Sequence, residues 1–137
     1  MDMENKRKHL EMIQGVINRM AGNLFYLKGW AITLIAALFA LAARDTNQRY
    51  ICIAYFPVVI FWILDGYFLS MERSFRGLYD DVRKRDPQKI DFSMNPIPYK
   101  KTNPRNGWLR SMFSLSLLWF YLPLIVLMLS ITYLISN

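Results

Sequence analysis

The residue with the clearest chemical potential is a carboxylate in an apolar stretch. Asp65 lies inside the run from Tyr50 to Met71, where the neighbouring side chains are those of a membrane-spanning segment. A charge at the centre of a bilayer costs at least about 2.5–3.5 kcal/mol, and such residues usually have a partner, line a water-filled cavity or mark a functional site. We therefore take Asp65 as the first candidate site residue.

Two other charged residues are related to Asp65 by position. Glu72 lies seven residues later, about two turns away on nearly the same helical face, and an acidic face of this kind attracts cations. Lys28 is the single lysine of the first span. If a turn between Ala43 and Tyr50 joins two antiparallel helices, Lys28 and Asp65 lie equally many residues from the turn and therefore at the same depth in the membrane. We predict a pair between Lys28 and Asp65. Either the pair only offsets two desolvated charges, or Asp65 lines a polar path that Lys28 tunes.

A second candidate site consists of basic and aromatic residues between the second and third apolar blocks. Its members are Arg83, Lys84, Arg85, Tyr99, Lys100, Lys101 and Arg105. Basic clusters beside a membrane bind anionic lipid headgroups, worth about 1 kcal/mol per charge. Alternatively, the cluster binds the phosphates of a nucleotide or oligonucleotide, with Tyr99 and Phe92 as stacking surfaces for bases. The sequence leaves both alternatives open.

The sequence contains no recognisable catalytic set. Cys52 and His9 are the single cysteine and histidine, so the chain has neither an internal disulfide framework nor a zinc-binding pattern. We find no glycine-rich phosphate loop and no nucleophile signature. We therefore expect no enzymatic activity, no metal and no cofactor. Cys52 is expected to pack as a small apolar residue, and His9 to lie on the surface.

Three apolar blocks position these residues, each long enough to cross a hydrocarbon layer of about 30 Å. We predict an all-α membrane protein that forms a single domain over residues 1–137. Its predicted elements are a long helix over 4–43 with a span at 24–43, a helix over 50–85 with a span at 50–71, a basic loop over 86–107 and a third span over 108–135. The loop contains four prolines and no periodic pattern, so it is expected to be functional or mobile.

The distribution of charge predicts the topology. Residues 72–111 hold ten Lys and Arg against five acids, and residues 1–28 hold five against three. The positive-inside rule places both segments in the cytoplasm, with the short Arg44–Arg49 connection and the C-terminus in the periplasm. The first two helices are then expected to extend below the bilayer as an antiparallel stalk. No cleaved signal peptide is expected.

Two stripes run along the first helix. Apolar residues spaced alternately three and four apart predict a heptad seam: Leu10, Ile13, Ile17, Met20, Leu24, Leu27, Ala31, Leu34, Leu38 and Leu41. Gly15, Gly22 and Gly29 form a second stripe, which would allow close helix packing in a membrane. Two stripes on different faces predict two packing partners, one within the chain and the other a neighbouring subunit.

Several of these segments resemble a known family. The residues that carry the resemblance are Leu27-Lys28-Gly29-Trp30, the run Phe61–Phe68 around Asp65-Gly66-Tyr67, Glu72-Arg73 and Leu78-Tyr79. They are similar to small bacterial membrane proteins of anti-phage abortive infection, most closely the transmembrane effectors of Hailong-type systems. The match covers roughly residues 10–82.

The resemblance implies an oligomer, with a tetramer favoured, that acts as an ion-channel-like effector in the bacterial inner membrane. A companion nucleotidyltransferase would make a single-stranded oligonucleotide that keeps it closed, and loss of this ligand would depolarise the cell. The residues themselves also allow a non-conducting membrane anchor that recruits a soluble partner, or a small cation or proton transporter subunit.

Overall fold

The computed structural model describes residues 2–45 and 48–136, which form helices and connecting turns. The helices are α1 (Asp2–Asp45), α2 (Gln48–Lys84), α3 (Ile97–Thr102), α4 (Trp108–Met112) and α5 (Leu115–Ser136), with 3-10 turns at Pro87–Lys89 and Pro104–Asn106. No strand occurs within the described residues. Helices α1, α2 and α5 are long and apolar enough to cross a membrane. The predicted all-helical class with three candidate spans is therefore confirmed.

The contact between α1 and α2 is the most extensive in the fold. Residues early in α1 meet residues late in α2, since Lys6 Nζ donates to the backbone carbonyls of Arg83 and Arg85 at 2.9 and 2.8 Å. A connection of only a few residues joins the two helices. Of the predicted Arg44–Arg49 connection, Thr46 and Asn47 lie outside the described residues.

Two apolar clusters lie along this helix pair. The larger contains ten buried residues of α1, α2 and α5: Ala31, Ile35, Phe39, Ala42, Ile51, Ala54, Val58, Leu117, Tyr121 and Met128. The smaller joins the other ends of α1 and α2 to the segment that follows α2, through Ile13, Ile17, Phe75, Leu78, Val82 and Ile90. Along both helices, Lys28 and Asp65 lie between the two clusters. The charged residues therefore occupy a boundary between two apolar cores.

The predicted heptad seam is wrong in the second half of α1. Leu34 and Leu41 are exposed, whereas Ile35, Phe39 and Ala42 are buried against the other helices. A straight α-helix has 3.6 residues per turn and drifts by about 20° per heptad relative to a 3.5-residue repeat. Over the length of α1 this drift moves the buried face by one position.

The connection after α2, which the prolines predict to be functional or mobile, contains short helices and packs against the long helices. Ile90 and Pro96 are buried, and His9, expected on the surface, is buried as well. The Nε2 atom of His9 lies 3.1 Å from the carbonyl oxygen of Ser93, and its ring centroid lies 5.4 Å from that of Phe92. The first helix therefore supplies part of the surface on which the connection packs.

The predicted third span over 108–135 is interrupted. Helix α4 ends at Met112 and α5 begins at Leu115, so the candidate span is confined to Leu115–Ile135. Two tryptophans anchor this break to α2: Trp62 Nε1 donates to the carbonyl of Met112 at 2.7 Å, and Trp108 Nε1 donates to that of Ile63 at 3.0 Å. The bond from Trp62 satisfies the carbonyl of Met112, which the interruption frees.

Gly66 allows α4 to approach α2 closely. A Cβ atom at this position would lie 2.2 Å from Met112 Cγ and 3.2 Å from Met112 Cα. The glycine beside Asp65 therefore brings α4, which precedes the third span, next to the candidate charge site.

Candidate functional site

The carboxylate of Asp65 is held by donors from two other helices. Lys28 Nζ of α1 lies 3.2 Å from Asp65 Oδ2, as the count across the connection predicted. The hydroxyl of Tyr121, in α5, donates to the same oxygen at 2.6 Å. The side chain of Asp65 is fully buried, whereas 26% of the Lys28 side chain is exposed. The charge site therefore joins all three candidate spans.

Aromatic residues enclose this charge site. The Trp62 ring stacks on the Tyr121 ring with centroids 5.5 Å apart and planes inclined by 7°. Lys28 Nζ lies 5.6 Å from the centroid of the Phe120 ring, close enough for a cation–π contact. Burial of Asp65 beside these rings lowers the local dielectric, which strengthens the attraction between Lys28 and Asp65 while raising the cost of leaving the carboxylate unpaired.

The carboxylate keeps one oxygen available. Asp65 Oδ1 is buried and has no hydrogen-bond partner among the residues that the structure describes. A carboxylate with one oxygen paired and the other open can accept a further donor or coordinate a cation once its surroundings admit one. In the arrangement observed here, the ammonium of Lys28 supplies the compensating charge.

Glu72 is engaged separately from Asp65. It is buried and accepts two hydrogen bonds from Arg76, one turn further along α2, at 3.1 and 2.8 Å. Asp65 and Glu72 thus each have a basic partner, Lys28 from another helix and Arg76 from the same helix. An acidic path through both residues would require these two pairs to open.

The basic residues at the end of α2 are paired with acids. Arg83 lies 3.7 Å from Asp80, and Arg85 lies 2.6 Å from Asp81 and 3.8 Å from Asp91. Lys84 is exposed. Exposed pairs of this kind contribute little to stability, but they reduce the positive charge available to a phosphate ligand.

Tyr99 is committed to a contact within the chain. Its hydroxyl donates to Asp81, and its ring packs over Gly77, where a Cβ atom would lie 3.2 Å from Tyr99 Cβ. Burial, and then the hydrogen bond to Asp81, raise the pKa of Tyr99 to about 12, so the phenol keeps its proton at physiological pH. Stacking of a base on Tyr99 would compete with this packing.

The remaining predicted anion-binding residues lie in different surroundings. Lys100 lines a small cavity with Tyr67 and Met71, and Lys101 is exposed. Arg105 lines a separate cleft with Arg73 and Arg110. The structure therefore distributes the seven predicted residues over several surfaces.

The glycine stripe faces away from the rest of the chain. At Gly15, Gly22 and Gly29, an added Cβ atom would meet no described atom within 4 Å. Thus α2 packs on the apolar face of α1, and the stripe is not used within the chain. Its role as a contact between subunits stays a prediction.

Tyr121 is the residue of the charge site that the sequence did not reveal. The Trp119-Phe120-Tyr121 run precedes Pro123 and reads as apolar filling. A buried tyrosine hydroxyl usually forms a hydrogen bond. Because Asp65 is the single acid of the spans, the need for an acceptor could have suggested a contact between Tyr121 and Asp65.

Comparisons with known proteins identify no relative. No family model matches the chain, and no match was found among curated proteins or solved structures.

Proposed function

We propose that the chain is a homo-oligomeric, ion-channel-like membrane protein in which Asp65 contributes to a gated cation path. The observation that carries the proposal is the pair of Asp65 and Lys28 at the meeting point of three candidate spans. A buried acid that three helices share is sensitive to their relative position. A small displacement of α1 or α5 would therefore expose or neutralise it.

The finer topology belongs to the same proposal. Helices α1 and α2 form an antiparallel stalk that extends into the cytoplasm, with the C-terminus of α5 in the periplasm and the spans in the bacterial inner membrane. The support is the charge distribution, since ten of the seventeen Lys and Arg residues lie in 72–111.

A ligand on the cytoplasmic side would set the gate. We propose that a nucleotide or single-stranded oligonucleotide keeps the path closed and that its loss depolarises the membrane in response to phage infection. This part rests on the resemblance alone. If the ligand is a polyphosphate, its affinity should fall steeply as salt rises, because bound counterions are released.

A second candidate function is a non-conducting anchor that recruits a soluble partner. The full burial of the Asp65 side chain favours it, because a buried carboxylate that needs its basic partner can fix the relative position of the helices without conducting. This candidate predicts normal growth on overexpression and no change in permeability when Asp65 is replaced.

Potassium release from proteoliposomes distinguishes the two functions. We expect the purified protein to release potassium, and Asp65→Asn, compared at equal assembly, to lose most of the release. Asp80→Asn is the matched control, since Asp80 is an exposed acid of α2 outside the spans. Release from the wild type no greater than that of protein-free vesicles, with and without added oligonucleotide, would favour the anchor. Release above that background but equal in all three proteins would exclude Asp65 from the cation path.

A further inference from the structure

We propose that the start of α5 carries a binding site for one anionic phospholipid, with its phosphate among Arg73, Arg105 and Arg110 and an acyl chain along α5. Two adjacent cavities carry this inference. One is a basic cleft of about 450 Å³, and the other is an apolar groove of about 510 Å³. Leu115 lines both, so the two form one amphipathic surface.

The lining of the basic cleft is positively charged. Its lining contains three arginines and no acidic residue. Arg73 Nη1 donates to the carbonyl of Arg105 at 2.8 Å, which holds the two residues together. Neither Arg105 nor Arg110 pairs with an acid anywhere in residues 2–45 and 48–136. Three guanidinium groups around a cleft match a phosphate, whose oxygens accept bidentate hydrogen bonds.

A serine in the cleft also lacks a partner. Ser114 Oγ is buried and forms no hydrogen bond with any described residue. Its backbone carbonyl accepts the Leu118 N–H at 2.9 Å, so the residue marks the beginning of α5. Ser114 therefore places a hydroxyl without a described partner in the wall of the cleft.

The apolar groove follows the outer face of α5. It is formed by six side chains: Leu115, Leu118, Trp119, Leu122, Pro123 and Val126. Trp119 is largely exposed, as are Leu115 and Val126. The groove continues from Leu115 at the cleft to Val126, about three turns along the helix, so a chain attached to a phosphate in the cleft would lie along it.

The continuity of the two cavities favours a lipid over a free phosphate. A free phosphate or a nucleotide would use the arginines but leave the groove empty, whereas a phospholipid matches both. Basic pockets at the membrane boundary bind anionic headgroups in this manner. The occupant is therefore assigned as an anionic glycerophospholipid.

Native mass spectrometry of the full chain tests the assignment. The protein is released from vesicles of phosphatidylglycerol and phosphatidylcholine, and the lipids retained per subunit are counted. We expect preferential retention of phosphatidylglycerol, weakened about fivefold for each charge removed in Arg105→Gln and Arg110→Gln. Lys89→Gln is the control, as an exposed lysine outside the cleft, and should retain phosphatidylglycerol as the wild type does.

A second pair of variants tests the apolar half. Leu122→Trp fills the groove and should reduce retention, while Leu129→Trp adds the same bulk at an exposed position of α5 outside the groove and should not. The assignment is overturned if phosphatidylglycerol is retained no better than phosphatidylcholine. It is also overturned if inorganic phosphate displaces the bound species while Leu122→Trp has no effect, since the site would then bind a free phosphate. A Leu122→Trp variant that changes only the number of subunits would likewise overturn it, since the groove would then be a contact between subunits. Helical content by circular dichroism confirms that each variant is folded.

Discussion

At the scale of single residues, the fold depends on how one carboxylate is held in an apolar interior. Asp65 has two donors, Lys28 and Tyr121, which come from α1 and α5. The pair of Lys28 and Asp65 is not equivalent to an exposed ion pair, because the acid is fully buried. Removing one partner would leave the other charge uncompensated, whereas removing both would leave no buried charge.

Lys28→Met should therefore destabilise the protein, by roughly 3 kcal/mol, and the double variant Lys28→Met/Asp65→Asn should recover part of this loss. Unfolding in detergent followed by circular dichroism measures both effects in a double-mutant cycle. Replacing Lys6, which bonds only to backbone carbonyls, provides the control. Additive losses in the double variant would show that the two residues do not interact.

At the scale of elements, a sequence predicts helix pairing where a short connection fixes it. The depth of Lys28 and Asp65 could be counted because only a few residues separate α1 from α2. The depth of residues in α5 could not be counted in the same way, because a connection of thirty residues separates α5 from α2. This connection is held partly by contacts to backbone carbonyls, such as that of His9 with the carbonyl of Ser93, which no sequence pattern indicates. Tyr121 was missed for this reason. The interruption at the start of the third span depends likewise on contacts with α2 that no local pattern indicates.

Gly66→Ala tests how closely α4 approaches α2. The added methyl group would overlap the Met112 side chain, so we expect a loss of about 1–3 kcal/mol despite the better helix propensity of alanine. Thermal unfolding of the variant measures the change. Gly15→Ala, where the methyl group meets no described atom, is the matched control and should not lower the unfolding temperature of the isolated subunit. Equal behaviour of the two variants would contradict the close approach.

Tyr99→Phe tests how the connection after α2 is held. The variant keeps the ring over Gly77 but removes the hydroxyl that donates to Asp81, which should weaken the docking of α3 by about 1 kcal/mol. Trypsin should then cut faster after Lys100 and Lys101, which lie in α3. Tyr133→Phe, an exposed change near the end of α5, controls for loss of a hydroxyl and should leave the cleavage rate unchanged. An unchanged rate in Tyr99→Phe would show that ring packing alone holds the connection.

At the scale of the whole molecule, one face of α1 has no partner among the residues that the structure describes. Gly15, Gly22 and Gly29 lie on this face, and Phe25, Tyr26 and Trp30 beside them are exposed. In a membrane, small residues in register allow helices of neighbouring subunits to approach. A homo-oligomer would cover this face and bring copies of the charge site into one assembly.

The triple variant Gly15→Ala/Gly22→Ala/Gly29→Ala separates packing within a subunit from packing between subunits. In an isolated subunit each change should stabilise α1 by up to about 1 kcal/mol. In an assembly that uses the stripe, the same changes should reduce the number of subunits measured by native mass spectrometry. A stabilised assembly with an unchanged number of subunits would place the interface elsewhere.

The most direct test of the central claim is the potassium conductance of the assembled protein in a planar bilayer, compared with Asp65→Asn. We predict that the wild type conducts cations when its ligand is absent. We also predict that Asp65→Asn, assembled to the same number of subunits, loses most of this conductance while Asp80→Asn keeps it. A wild-type conductance that Asp65→Asn fully retains would contradict the claim that Asp65 contributes to the cation path.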